Sequence, residues 1–378
     1  MAIDITLSEE QEIIRRSARD FFSSECDTAF VRRAEVADED FPRAMWKQMA
    51  ELGWLGMSFP EQYDGAGCTL LDLYPLYLEL GRHIVPLPLL ECVGLAAWLV
   101  AAAGNEAQRQ RILPAVAAGD MILAPALMEA QGIYGPRGIA MQARRAGAGF
   151  VLDGTKLLVP CASAADLLAV ACRTGAPGGE AGVTLFLVDP HARGVSVEST
   201  PTMTGERMYA VSFDRVEVGA ADVLGEVDRG WAPLDDAIMR AAILQAALAA
   251  GGAERVMEIS TGYARDRVQF GKPIGSNQAV QYLCTEIAIE THRTRLLTMQ
   301  AAWCQATGRP WKREAALAKA AACRAAVAAI HGGHEVHAGI GFMVDYDLQL
   351  FTRRAKHWEW NLGDYRYHLE RSLVEAGI

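Results

Sequence analysis

The stretch "RVQFGKPIGSNQAVQ" (267–281) gathers Arg267, Gln269 and Phe270 at a forced break in the chain. On both sides the sequence is alanine-rich and helix-periodic; here Gly271, Pro273 and Gly275 interrupt it. A planar guanidinium can make bidentate, charge-assisted contacts to a diphosphate, and Phe270 offers an apolar face beside it. The plainer reading is a turn between two helices carrying a surface ion pair. A second group of chemically able side chains is "IHGGHEVH", with histidines at 331, 334 and 337. No cysteine or carboxylate joins them in a recognisable metal-ligand pattern, so they read as helix-spaced histidines in a packed bundle, and no metal site is expected.

The elements that must position these residues fall into three blocks. The chain has 378 residues, 51% hydrophobic and 22% charged, enough for two or three domains with a shared core. A net charge of -10 argues against a general nucleic-acid surface, although it leaves room for a local basic pocket. The start "MAIDITLSEEQ" has no signal-peptide pattern, and the longest apolar run, "LAAWLVAAA", is about half of what spans a bilayer. Eight cysteines without a CxxC pair point to free thiols, and the expectation is a cytoplasmic protein without membrane or nucleic-acid partners.

Residues 1–120 read as a helical domain. Ser8 with Gln11 forms a capping-box pattern, and Ile13, Ile14, Ala18, Phe21 and Phe22 recur at helical spacing. "FPRAMWKQMAELGWLGM", "LLDLYPLYLELGRHI", "LLECVGLAAWLVAAAG" and "QRQRILPAVAAGD" continue it. In residues 121–225, "GFVLDGTKLLVP", "DLLAVACR", "VTLFLVD" and "YAVSFDRVEV" are short strands between Gly, Pro and Asp. They predict a small sandwich or barrel rather than a parallel βαβ sheet. Residues 226–378 return to three long helical runs with small-residue faces, as in a bundle.

This order, with three motifs, resembles the acyl-CoA dehydrogenase family over nearly the whole chain. "WKQMAELGWLGMSFPEQYDGAG" looks like the segment leading to the family's Pro-Glu-x-Tyr-Gly-Gly turn. "YARDRVQFGKPIGSNQAVQ" is close to its R-x-Q-F-G-x-P-[IL]-x-x-x-Q signature, and "EVHAGIGFMVDYDLQLFTRRAK" is similar to its Q-x-x-G-G-x-G-[FY] stretch. The resemblance implies an N-terminal all-α domain, a central β-sandwich or barrel domain and a C-terminal four-helix domain building the oligomer core. It implies FAD shared across a subunit interface, reached by Arg267, Gln269, Phe270 and Gln278. A second cofactor segment maps to Glu335, Ala338, Gly339 and Gly341, where Glu stands for Gln and Ala for the first Gly. A carboxylate cannot donate the amide hydrogen bond.

Other departures fall on the site itself. The family's Met-Thr-Glu-Pro strand reads "LMEA", keeping Glu129 but placing Met128 and Ala130 beside it. The strand that usually carries Trp and Thr against the flavin reads "LLVPCASAAD". The resemblance implies removal of an α-proton by a carboxylate while the β-hydride passes to flavin. Its two usual places hold Leu362 and Ala241. Asp364, Glu359 and Asp236 are the neighbouring carboxylates, with Asp364 the best in-chain candidate. A leucine at 362 is expected to fill the acyl site and leave it inert. Three functions compete: a subunit paired with an unlike, Glu-bearing acyl-CoA dehydrogenase chain (α2β2) acting on an acyl-CoA, as in catabolism of steroid side chains and other bulky acids; a self-sufficient homotetramer using Asp364; or a non-enzymatic scaffold.

Overall fold

The computed structural model describes residues 6–176 and 178–378. Six helices open the chain: α1 (Glu9–Glu25), α2 (Thr28–Val36), α3 (Arg43–Glu51), α4 (Leu70–Arg82), α5 (Trp98–Ala103) and α6 (Glu106–Ala117). The capping box at the start of α1 is formed, with Ser8 and Gln11 exchanging hydrogen bonds. The apolar run 89–104, read as one helix, divides into a π-helical segment, Leu90–Ala97, followed by α5. A wide turn of this kind is rare and recurs at functional sites.

Eight strands follow: β1 (Leu123–Ala126), β2 (Gln142–Ala146), β3 (Gly149–Pro160), β4 (Leu167–Arg173), β5 (Val183–Val188), β6 (Val195–Thr200), β7 (Met208–Val218) and β8 (Val223–Leu224). They form one bent sheet in the order β6-β7-β3-β2-β4-β5-β8, with β1 beside β4. Most pairs are antiparallel; β1–β4 and β2–β4 are parallel. The long strand β3 slips register against β7 between Leu152 and Gly154 and again between Lys156 and Val159. Each slip bends the strand, and the second one turns Leu158 towards the domain junction. Inside the sheet the ammonium of Lys156 donates to Glu129 at 2.6 Å, and Glu129 also accepts the backbone N–H groups of Ala140 and Met141. A buried charge needs such complete pairing.

The last block holds α7 (Trp231–Asp266), a hairpin of β9 (Val268–Gln269) and β10 (Lys272–Pro273), then α8 (Gln278–Ala306), α9 (Lys312–His337), α10 (Leu348–Trp360) and α11 (Tyr365–Glu375). The small residues of "AALAAGGA" do not face an outside partner. A Cβ on Gly251 would lie 1.9 Å from the Leu78 carbonyl oxygen, and one on Gly81 1.8 Å from that of Leu248. Those glycines let α4 and α7 touch backbone to backbone, and Gly252 packs under the Trp358 ring. Their role is to weld the N-terminal and C-terminal helical blocks of one chain. Small residues permit close approach, and the fold decides which helix approaches. No helix among the described residues is long and apolar enough to cross a membrane.

Candidate active site and cofactor edge

The helical blocks and the sheet meet at a partly open apolar cavity of about 120 Å³. Its wall combines Leu90 and Leu95 from the π-helical segment, Met128 and Ile133 after β1, Leu158 and Pro160 of β3, and Trp231 and Ile238 of α7. Leu362 closes one side. Two of these leucines sit on left-handed backbone, Leu158 at φ 52° and Leu362 at φ 60°. That conformation costs a non-glycine residue energy and persists where surrounding structure enforces it, often at functional sites.

The enforcement around Leu362 is visible. The buried ammonium of Lys319 donates to the carbonyls of Gly363 at 2.8 Å and Trp358 at 3.0 Å. Burial pulls Lys319 below the ordinary lysine value, against the pull of Cys323 and more distant Asp364 and Glu359. His368 Nε2–H donates to the Leu362 carbonyl at 2.9 Å. Burial, with Lys319 adding to it, presses His368 down to about 3, so the ring is neutral. Arg371 grips Asp235 through two hydrogen bonds, 2.7 and 2.8 Å, tying α11 to α7. The turn to which the resemblance assigns a base is fully built; the side chain on it, Leu362, is apolar. Lys319 and His368 had no part in the sequence reading, although a lone lysine amid "AALAKAAAC" is a signal for a buried, partnered charge.

The carboxylates named from sequence stand elsewhere. Asp364 accepts the Tyr367 N–H at 2.8 Å and caps α11. Glu359 pairs with Lys356 at 2.8 Å. Asp236 lies on α7, and Ala241, further along the same helix, is fully buried. None of these four lines the cavity, whereas Glu91, on the π-helical segment, does. Its Oε1 lies 3.5 Å from Asn361 Nδ2 and 3.7 Å from His357 Nε2. Burial opposes charge on His357, yet Glu206 and Glu91 together hold it above its ordinary value. A single acidic residue in the otherwise apolar "LLECVGLAA" was the available signal for Glu91. The leucine does not fill the cavity, contrary to expectation, because the turn holds Leu362 in the wall rather than across the space.

The second region is the edge formed by the hairpin and the end of α9. Gln269 pairs with Lys272, and Phe270 and Gly271 fill a two-residue turn at φ 53° and 77°. This is the geometry of a tight hairpin with both central residues left-handed. Phe270 is 99% exposed. Arg267, Gln269 and Gln278 are exposed too, and the Arg267 guanidinium has no partner among the described residues. Tyr263 stacks on His337 with ring centres 4.5 Å apart, which brings the hairpin's root to the end of α9. There Glu335 and Gly339 are exposed and Gly341 is buried against His334. Ala338 adopts φ 52°, ψ -138°, a region that suits glycine. His334 stacks on Phe342 and bonds Thr352, and His331 is exposed. Among the described residues, no three His, Cys, Asp or Glu side chains are grouped to hold a metal ion.

The two regions differ in their fit to FAD. At the edge, a free guanidinium beside an exposed aromatic suits a diphosphate and its nucleoside. In the cavity, Met128, Leu158 and Pro160 offer a flavin ring no hydrogen-bonding side chain, and the Tyr134 hydroxyl is already donated to the Trp360 carbonyl at 2.7 Å. The β-strand face of the cavity therefore offers the ring no side-chain hydrogen bond.

Comparison with known proteins covers the chain almost end to end. Family models for the acyl-CoA dehydrogenase N-terminal, middle and C-terminal domains match residues 8–120, 124–216 and 228–371. The chain is 29% identical to the "Probable acyl-CoA dehydrogenase YngJ" of Bacillus subtilis (strain 168), with 98% of each chain covered. Among solved structures it is similar to the ChsE4-ChsE5 complex from Mycobacterium tuberculosis, with 28% identity, TM-score 0.90 and 99% of each chain covered. It is also similar to the Tcur3481-Tcur3483 steroid ACAD, with 31% identity, TM-score 0.87 and coverage of 98% of this chain and 99% of that one. With its helical, β and helical blocks in the matching order, the chain belongs to the acyl-CoA dehydrogenase family of flavin-dependent oxidoreductases.

Proposed function

We propose that this chain is the non-catalytic-type subunit of a hetero-oligomeric acyl-CoA dehydrogenase, an α2β2 assembly that introduces an α,β double bond into an acyl-CoA thioester. Its unlike partner carries the Glu that removes the α-proton. This chain contributes Arg267, Gln269, Phe270 and Gln278 to FAD seated mainly in that partner, with the segment Glu335 to Gly341 beside them. FAD, when bound, supplies the hydride acceptor. Arg267 neutralises its diphosphate, and Phe270 shields the nucleoside end from water.

One contrast carries the reading: an unpaired arginine and a fully exposed, backbone-strained phenylalanine are presented outward, while the inward cavity has no carboxylate at position 362 or 241. An exposed aromatic beside an exposed guanidinium on a tight hairpin supports a neighbour that covers both. Tyr282, Ile289 and Leu296, seven residues apart on α8, are exposed as well, and give the assembly a second apolar seam. The two solved relatives with paired chain names support the pairing by analogy. An acyl group of the bulky, steroid-like kind fits the same analogy.

The test is purification of the chain alone and with an unlike acyl-CoA dehydrogenase chain from the same genome, followed by flavin counting. The expected result is little flavin on the chain alone and one FAD per pair of unlike chains in a tetramer. One FAD per chain in a homotetramer, with acyl-CoA oxidation lost several orders of magnitude in Asp364→Asn, would establish the self-sufficient enzyme instead.

A further inference from the structure

The cavity lined by Leu362 has one charged side chain in its wall, Glu91, and that carboxylate has room for a further donor. Glu91 is mostly enclosed, with 16% of its side chain exposed. Its nearest donors, Asn361 Nδ2 at 3.5 Å and His357 Nε2 at 3.7 Å, both approach Oε1 and both exceed ordinary hydrogen-bond length. None of the described residues donates to Oε2. A carboxylate at the wall of an apolar space calls for a further donor. The rest of the wall is mostly apolar, with Leu90, Leu95, Leu158, Trp231, Ile238 and Leu362 welcoming hydrocarbon, and its other polar side chains, Asn361, Tyr134 and Tyr367, offer no counter-charge. At about 120 Å³ the space is somewhat smaller than an engineered cavity of about 150 Å³ that takes up benzene, so it suits one small ring whose substituent extends through its open side.

We propose that this cavity binds an uncharged, compact apolar molecule or acyl terminus that ends in a hydroxyl group, with Glu91 accepting the hydroxyl hydrogen. The inference deepens the reading above and rests on it, because a cavity without a base at 362 or flavin partners in its wall is free to hold a ligand without turning it over. Anionic ligands are excluded by Glu91 itself. The hydroxyl specificity resides in charge-assisted acceptance by a carboxylate, which a methyl group of the same size cannot use.

The experiment compares 4-ethylphenol with 4-ethyltoluene, which replaces the hydroxyl by a methyl, and with phenylacetate, by ligand-observed NMR titration of the full-length chain and of the co-purified complex. 4-Ethylphenol is expected to bind at least about ten-fold more tightly than 4-ethyltoluene, the factor that about 1.4 kcal/mol from one hydrogen bond to a charged group supplies. Phenylacetate should not bind. Glu91→Gln, which keeps the shape, should bring the two neutral ligands within about three-fold of each other, and Ile238→Trp should abolish both by filling the space. Equal binding of the two neutral ligands to the wild type overturns the proposal without need of any variant. So does a preference that survives Glu91→Gln, or the absence of saturable binding, which would leave only water at Glu91. Flavin counting is independent of these titrations: one FAD per chain would refute the inert cavity, while the Glu91 preference would still be read from the ligand pair.

Discussion

The hairpin at 267–273 and the turn at 361–364 are the places to which the resemblance assigns cofactor binding and the base, and this chain treats them oppositely. The hairpin keeps its side chains exposed: Phe270 is bare, and among the described residues nothing pairs with the Arg267 guanidinium. The turn keeps all its supports, with Lys319 and His368 gripping its carbonyls, and has lost the side chain they would position. A backbone framework is shared with the packing of α9, α10 and α11, so losing it would cost fold stability. A single side chain on that framework can change at little structural cost. At the hairpin Phe270 is 99% exposed, so its side chain adds little to the packing of the chain itself.

The largest effect that can break this contrast is on turnover. In the assembled complex, Asp364→Asn should leave acyl-CoA oxidation within a few-fold of wild type. Asn caps a helix about as well as Asp, so the substitution removes the charge and keeps the Tyr367 bond. Replacing the partner's Glu by Gln should abolish turnover. A loss of several orders of magnitude in Asp364→Asn would place the chemistry in this chain after all.

Next in size is the support of the turn. Lys319→Met removes the donors to the Trp358 and Gly363 carbonyls, and each carbonyl left unsatisfied costs about 1–3 kcal/mol. Hydrogen exchange should show the opening free energy of α10 and α11 falling by about 2–5 kcal/mol, while the β-sheet amides stay protected. A uniform or negligible change would mean that the lysine does not hold this turn.

The hairpin is probed by Arg267→Ala. Loss of a charged hydrogen-bond pair to phosphate costs about 1.5–3 kcal/mol, or roughly 10- to 150-fold in FAD affinity of the complex. The isolated chain should melt at an unchanged temperature, because the Arg267 guanidinium has no partner among the described residues. Unchanged flavin occupancy after extended dialysis would separate the hairpin from the cofactor.

Much of this contrast was legible in the amino acids, and the reasons differ by residue. Ser8 and Gln11, or Gly308 after α8, act on their own neighbourhood, so local spacing reveals them. Leu362 and Arg267 were found by motif position. Glu91 and Leu362 are distant in sequence and meet only because the π-helical segment packs beside the turn; no spacing announces that. Gly251 and Gly252 were visible as small, but their partners Leu78 and Trp358 lie more than a hundred residues away. Composition gives the capacity for close contact, and topology decides where it is used.

Acid should reach the turn before the hairpin. His368 is neutral and held down to about 3 by burial first and by Lys319 next. An unfolded histidine takes up its proton near pH 6.5. Below that pH the unfolded state binds a proton that the folded state refuses, so stability falls as pH falls, by about 1.4 kcal/mol per unit. At pH 5 the loss is about 2 kcal/mol. Opening of residues 362–368 by hydrogen exchange should therefore rise between pH 6.5 and 5 in the wild type and stay flat in His368→Gln. A flat wild-type profile would mean that the ring is protonated in place and does not serve the turn as a neutral donor.

The smallest effect sharpens the contrast from the other side, since the cofactor edge is not wholly preserved. Ala338 sits at φ 52°, ψ -138°, where a side chain costs about 1–3 kcal/mol. The residue is exposed, so the strain comes from its own backbone and not from a crowded neighbour. Glycine there removes the strain but loses about 0.5–1 kcal/mol to the greater freedom of the unfolded chain. Ala338→Gly should thus stabilise the end of α9 by about 1 kcal/mol net, read as slower exchange of the amides that close the helix. Combined with Glu335→Gln, which exchanges a carboxylate facing solvent for an amide able to donate, it should also raise flavin retention in the complex. If stability rises and flavin retention does not, the neighbour's cofactor is reached by the hairpin alone, and the segment from Glu335 to Gly341 has drifted out of use together with the cavity.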